Sequence, residues 1–322
     1  MNVASAIAVE DVSFSYGPRR ALDSVSFSIP RGEIFAFVGP NGGGKTTLFR
    51  LLTTLVPLQS GSVRIESFDL ARDVRPIRPL LGVVFQAPSL DKKLTVVENL
   101  QHHGHLYGVT GPRLAERIDE LLARFNLGER RDERTEKLSG GLRRRVELAK
   151  SLLHQPRILL LDEPSTALDP MARSELWQHL EQIRQDDGVT IALTTHLLEE
   201  AERADRVGIM HEGRLVALDT PDALRDTIGG DAITIRAAEP AGLAAAISER
   251  FACDAHVVDG DVRLEREDGH RWVAQLVEAF PGAIDSITFA RPSLEDVFVA
   301  RTGHLFRDEV EEAVADSKEA VR

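Results

Sequence analysis

The sequence holds a single cysteine, Cys253, among 322 residues. An internal disulfide is therefore excluded, and a reducing, cytoplasmic setting is expected. Cys253 itself reads as a small buried hydrophobe rather than a nucleophile. No apolar stretch approaches the roughly 18–20 residues that a membrane-spanning helix requires. The N-terminus lacks a basic segment followed by an apolar core, so nothing there marks the chain for secretion. Positive charge is in short supply as well. The net charge of −12 argues against broad nucleic-acid binding, and any work at a membrane must go through docking on a partner. What is left is an ordinary globular composition, 28% charged and 43% hydrophobic, in a chain long enough for two domains.

Against that background one stretch stands out: Gly39, Pro40, Asn41, Gly42, Gly43, Gly44, Lys45, Thr46, Thr47. It follows the apolar run Ile34–Val38 and leads into the apolar-rich segment Leu48–Val56, so its context is strand, glycine loop, helix. Gly39, Gly44, Lys45 and Thr46 fit the phosphate-binding pattern G-x-x-x-x-G-K-[ST]. Glycines let the backbone come close to a polyphosphate, whose charge then meets free N–H groups at the positive end of a helix. Lys45 would reach the β- and γ-phosphates, and the Thr46 hydroxyl would ligate Mg2+.

Other segments add chemistry in order along the chain. Ala6–Ile29 alternates in two runs around Tyr16–Arg20 and predicts antiparallel strands. Tyr16 ends the first, either as a packed strand-end residue or as a face on which a purine stacks. Ser62–Glu66 and Leu80–Phe85 are further strands, the second ending at Gln86. Residues 87–156 turn to helical periodicity, with helices over Thr95–Tyr107 and Arg113–Phe125. His102, His103 and His105 read as a solvated helix face, since no cysteine or carboxylate joins them at ligand spacing. Ser139, Gly140 and Gly141 precede the next helix, as a plain serine cap or as a second anion site of the same physics. The strand Arg157–Leu161 ends in Asp162 and Glu163, at the sheet edge where ligands bind in open parallel sheets. Asp162 is suited to hold Mg2+, and Glu163 to polarise a water attacking the γ-phosphate. Asp169 caps a helix over Pro170–Gln185, and His196 ends the strand Val189–Thr194 where it can contact a γ-phosphate. A hairpin over Arg206–Leu218 and a short helix lead to Gly229-Gly230, read as a linker. Beyond it, residues 231–302 predict a small α+β domain without catalytic spacing. Residues 303–322 form an acidic tail, helical or frayed.

Together these residues resemble the ATP-binding subunits of ABC transporters over about residues 6–225. Tyr16 matches the A-loop, Gly39–Thr47 Walker A and Gln86 the Q-loop. Leu138–Gly141 matches the signature, Ile158–Asp162 Walker B and Glu163 the catalytic glutamate. Ser165–Asp169 matches the D-loop and His196 the switch histidine. The resemblance implies an α/β fold: a P-loop NTPase cassette over residues 1–228, with a RecA-like core sheet, an antiparallel β subdomain and an α-helical subdomain near 87–156. It implies ATP and Mg2+ as cofactors, with Glu163, His196, Lys45 and Gln86 in catalysis. Tyr16, residues 39–47, Ser139, Gly140, Gly141 and Asp169 would bind nucleotide, and Thr46, Gln86 and Asp162 the metal. It further implies a head-to-tail homodimer with two ATP molecules between subunits. Ser139 and Gly141 of one copy would then meet the γ-phosphate held by Lys45 of the other.

Within the family the chain is similar to ABC-2 exporter subunits for drugs, polysaccharides or lipids. Its C-terminal stretch Pro292–Gly303 resembles the end of those chains. The implied partners are multi-span membrane permeases, on the cytoplasmic face of the membrane. A soluble ABC ATPase acting on ribosomes or DNA is the alternative; the single cassette, acidic charge and lack of a coiled-coil insertion speak against it. A catalytically silent nucleotide sensor is disfavoured because Glu163 and His196 are both present. One departure concerns the signature, which commonly ends in Gln; Leu142 takes that place and cannot supply the Gln's hydrogen bonds.

Overall fold

The computed structural model describes residues 5–228, 230–266, 269–304 and 306. The expected acidic tail lies outside the described residues from 307 onward, as does Gly229 of the expected linker. Two compact units result, Met1–Leu215 and Val216–Arg322.

In the first unit, β1 (Ser5–Tyr16) and β2 (Arg19–Pro30) form the antiparallel pair read from their alternation, turning at Gly17-Pro18. β3 (Ile34–Val38) runs into the loop 39–44 and α1 (Lys45–Leu52). β4 (Ser60–Ile65) and β5 (Phe68–Asp69) complete a sheet of order β2-β1-β4-β5. The short α2 (Val74–Ile77) precedes β6 (Leu81–Val84). Then come the helices of the middle region, α3 (Val96–Leu106), α4 (Gly111–Arg124) and α5 (Gly140–Leu152). α3 starts at a reciprocal cap, Thr95 accepting from the Glu98 N–H while Glu98 accepts from that of Thr95; the T-x-x-E spacing is a sequence signal for this. β7 (Ile158–Asp162), α6 (Pro170–Asp187), β8 (Thr190–Thr195), α7 (Leu198–Ala201), β9 (Arg206–His211) and β10 (Arg214–Asp219) follow.

The second sheet has the order β10-β9-β3-β8-β7-β6. β9, β3, β8, β7 and β6 run parallel to their neighbours. Every residue of β3, β7 and β8 is buried, which is why none alternates: β3 is wholly apolar, β7 is apolar up to Asp162, and β8 has an apolar centre, Ile191–Leu193, between threonines. Register places Val38 opposite Thr195 and Asp162 opposite Thr194. The end of β3, where the glycine loop begins, therefore shares one sheet edge with both acids.

His103 departs from the expectation of a solvated helix face. Its ring lies 5.0 Å from that of Tyr107 and 5.9 Å from that of His154. Burial, with the charges of Lys150 and His154, pushes its pKa down to about 4. The reason is that α3 packs against α5, and His103 falls on the packed side; His102 and His105 are exposed as expected.

Just before β3, Glu33 is a buried carboxyl beside Arg206, 3.7 Å away, with its Oε1 lacking a hydrogen bond. Burial raises its pKa from 4.5 to about 7, Arg206 opposing and Asp205 adding to the rise. The folded state thus holds the proton more tightly than the unfolded chain. That contribution is fully present below about pH 4.5 and is lost as pH rises through 7. Glu33→Gln should therefore stabilise the protein by about 1–2 kcal/mol near pH 8, after solvent screening, with the gain shrinking toward zero near pH 5. Chemical denaturation at the two pH values checks this; an equal effect at both would contradict it.

The second unit contains α8 (Pro221–Asp226), capped by Thr220, and β11 (Asp231–Arg236), α9 (Pro240–Phe251), β12 (Ala255–Val258), β13 (Asp261–Arg266), α10 (Gly269–Ala279), β14 (Ser286–Ala290) and α11 (Leu294–Thr302). Its sheet is antiparallel, of order β12-β13-β11-β14. Ile233, Ile235, Val262 and Leu264 from the strands pack on Leu243, Ile247 and Leu276 from α9 and α10, the core of the α+β unit read from the sequence. The compact division falls upstream of the expected linker because α8 packs against α11 within this unit.

Candidate functional site

The glycine loop is wedged between β2, the β9–β10 turn and its own helix. The Gly213 N–H donates to the Gly43 carbonyl at 3.1 Å, and that of Asp23 to the Gly213 carbonyl at 2.9 Å. A Cβ on Gly39 would sit 2.1 Å from the Met210 carbonyl oxygen, closer than any side chain tolerates. Gly44 has φ +100°, and a Cβ there would lie 2.7 Å from the Ala21 carbonyl oxygen. Only glycine fits at both. Gly44 also provides no side-chain cap to α1, so the first amides of that helix stay free for an anion.

Lys45 is 4% exposed, and its Nζ donates to the carbonyls of Gly39 and Pro40 at 2.7 and 2.8 Å. Burial pulls its pKa down to about 8, against the raising charges of Glu163 and Asp162. It remains mainly cationic at neutral pH. A cavity of about 430 Å3 opens in front of it, lined among others by Tyr16, Arg19, Asn41, Thr46 and Glu163, a size suited to a small ligand. Tyr16 is 43% exposed, its ring edge-on to Phe14 at 4.9 Å. A larger cavity of about 670 Å3 lies in the second unit, on β12, β13 and α11, where no phosphate loop exists.

The acids at the end of β7 are held differently. Asp162 accepts a 2.6 Å hydrogen bond from Thr194 Oγ1. Burial raises its pKa, a rise that the Thr194 bond opposes and the Glu163 charge reinforces. Glu163 sits at φ +43°, in the left-handed region, strain of the kind found at functional sites. Its N–H is fixed by the carbonyl and hydroxyl of Thr194, at 3.1 and 2.9 Å. Its Oε2 accepts from Gln86 Nε2 at 3.1 Å and Thr166 Oγ1 at 3.1 Å, and lies 3.3 Å from His196 Nδ1. Burial works to raise the Glu163 pKa, but His196, Lys45 and Thr166 together bring it below the ordinary value. The carboxylate is thus kept ionised and ready to accept a proton.

Most of the expected site residues therefore converge: Gln86 and His196 both touch Glu163, and Lys45, Thr46, Tyr16 and Glu163 line one cavity. Ser139, Gly140, Gly141 and Asp169 do not line it. Ser139 caps α5 through the Leu142 N–H, and Asp169 caps α6 through that of Ala172. A Cβ on Gly141 would fall 3.1 Å from the Ala172 Cβ, so the two helix starts are neighbours. Thr194 escaped the sequence reading. Its signal is a pair of threonines closing an apolar strand, Thr194-Thr195, when Asp162-Glu163 closes another.

Known proteins are similar to this chain. The family described as ABC transporter matches residues 22–166. The "Daunorubicin resistance ATP-binding protein DrrA2" of Streptomyces coeruleorubidus is 37% identical over 312 residues, covering 93% of this chain and 95% of that protein. The chain belongs to the ABC transporter ATP-binding family. This ABC ATPase is also 36% identical to the "Nod factor export ATP-binding protein I" of Paraburkholderia xenovorans, over 94% of the chain and 99% of that protein. Among solved structures it resembles cbiO1 of Clostridium perfringens, part of the ABC transporter complex cbiONQ, with a TM-score of 0.64 and 29% identity over 70% of the chain and 93% of that one. Its enzymatic activity is that of the family, hydrolysis of ATP to power transport. The matches to these two relatives extend over the second unit as well. No helix among the described residues is long and apolar enough to cross a membrane.

Proposed function

We propose that this ABC ATPase powers an ABC-2-type exporter, working as a homodimer docked on multi-span permease subunits at the cytoplasmic membrane face. The relatives named for drug resistance and for Nod factor export support the direction of transport. The observation that carries the dimer is the position of Ser139–Gly141. This helix N-terminus does not line the cavity in front of Lys45 of its own chain, so a second copy is needed to bring it to a γ-phosphate. A helix N-terminus carries about half a positive charge. Closure is then favoured with the γ-phosphate in place and released on its loss, a switch that can drive conformational work.

Within each site, Tyr16 stacks on the base, and residues 39–47 cradle the phosphates through backbone amides, with Lys45 supplying charge. Thr46, Asp162 and Gln86 offer only oxygen ligands, a donor set that fits a hard cation such as Mg2+. They would hold the metal, which when bound neutralises charge on the phosphates. Glu163 orients the attacking water and takes its proton, and His196 holds the Glu163 carboxylate in place. The permease docks on the groove of about 400 Å3 lined by Leu55, Arg78, His103, Tyr107, Lys150 and His154. Leu55, which lines it, stands 57% exposed, an apolar side chain open to a partner. Affinity capture of the tagged chain from gently solubilised host membranes should recover a multi-span membrane protein in equal amount. Recovery with ribosomes or nucleic acid alone would overturn the exporter reading and leave the ATPase.

A further inference from the structure

α5 carries three charged side chains at three-residue spacing, Arg144, Glu147 and Lys150, and all three are buried. Buried charges are costly unless every group is paired. A local ion pair would meet part of that need, and Arg144 Nη1 does reach Glu147 Oε2 at 2.9 Å. Each of the three nevertheless spends a further bond on one loop, the one that contains Gln86. Arg144 Nη1 donates to the Phe85 carbonyl at 2.9 Å. Glu147 Oε1 accepts the Ser89 N–H at 2.7 Å. Lys150 Nζ donates to the Ser89 carbonyl at 2.8 Å and to Ser89 Oγ at 2.6 Å.

Gln86, Ala87, Pro88 and Ser89 are exposed, so burial of the loop's own side chains does not hold it in place. The bonds fix the loop's position, one directly before Gln86 and three at Ser89. From that held loop, Gln86 Nε2 reaches Glu163 Oε2 at 3.1 Å. The other end of α5 begins at Ser139. One continuous helix therefore joins the signature residues to the loop that touches the proposed base.

We infer that Arg144, Glu147 and Lys150 form a clamp through which the signature helix positions Gln86, and through it the Glu163 carboxylate, for hydrolysis. These are positioning residues; none touches nucleotide. The inference rests on the reading of Gln86 and Glu163 given above. Its consequence is that displacement of α5, when a partner subunit's phosphate engages Ser139, is passed to the hydrolytic centre as a shift of the Gln86 loop.

The test is a double-mutant cycle on the purified full chain with Mg2+ and ATP, following kcat, KM and thermal melting. Lys150→Met removes the Ser89 anchor while keeping a long apolar stem in place. It should lower kcat about tenfold with KM for ATP within about twofold, since misplacing a catalytic group slows chemistry more than binding. Lys150→Arg, which keeps donors for the Ser89 carbonyl, should restore most of the loss. In the Gln86→Ala background, Lys150→Met should change nothing further. A second loss of the same size in that background would overturn the clamp, as would wild-type kcat in Lys150→Met alone. If Lys150→Met melts much earlier than wild type, Ser89→Pro deletes the N–H given to Glu147 from the loop side and is read the same way. Wild-type kcat in Gln86→Ala would instead refute the role of Gln86 itself, a failure separate from that of the clamp.

Discussion

Glu163→Gln should abolish turnover, by about a thousandfold in kcat, while ATP binding stays within about twofold of wild type. The substitution is nearly isosteric and spares the fold. The Gln side-chain oxygen can still accept from Gln86, Thr166 or His196, whose donors now crowd Glu163 Oε2. What disappears is the carboxylate charge and with it the capacity to take a proton from water. That charge is maintained at a cost: the side chain is buried, and only Lys45, His196 and Thr166 keep its pKa from rising. Because hydrolysis alone is blocked, the variant should accumulate as an ATP-bound dimer. Sedimentation with ATP would show the dimer and with ADP the monomer. Near-normal hydrolysis would remove Glu163 from the role of base, and a monomer with ATP would argue against the closed dimer.

The contrast between what could and could not be read from the chain follows from sequence distance. The phosphate loop is contiguous, so its glycines, Lys45 and Thr46 announce themselves in nine residues, Gly39 to Thr47. The buried strands β3 and β7 are equally plain, because a strand covered on both faces tends to a continuous apolar run, and β8 shows the same in its centre, Ile191–Leu193. Asp162, Glu163 and His196 were legible because each closes such a run. Contacts that join remote residues left little or no trace: Thr194 with Asp162 shows only as paired residues closing two strands, and His103 with His154 or Arg144 with Phe85 not at all. In the run Arg143–Arg145 nothing local tells that the middle arginine turns inward. The helix at Leu294–Thr302 is a different kind of omission. Its Ser293–Asp296 capping box was visible in the spacing but sat inside a segment noticed only for its resemblance to other chain ends. The packing of α8 on α11, which moves the boundary of the second unit, is again a contact between remote segments.

Lys45→Ala should weaken ATP binding by about a hundredfold or more, since a charge-assisted contact to phosphate inside a buried cradle is lost. The effect has two parts with different signatures. Removing the ammonium takes away the charge that the β- and γ-phosphates would meet. It also orphans the Gly39 carbonyl, which Lys45 now satisfies, at about 1–3 kcal/mol for a group left without a partner, while the Pro40 carbonyl keeps the Gly43 N–H. The loop itself is therefore expected to loosen, and melting should fall modestly even without nucleotide. Binding of a fluorescent ATP analogue separates the two contributions. Lys45→Met leaves the same Gly39 carbonyl unpaired but fills more of the space, so it should recover melting temperature more than affinity. If both variants bound ATP like the wild type, the loop would not be the nucleotide site, whatever its pattern. If affinity fell while Glu163→Gln kept it, binding and hydrolysis would be assigned to separate residues of one site. The loop would hold the phosphates, and the acid at the end of β7 would act on the water.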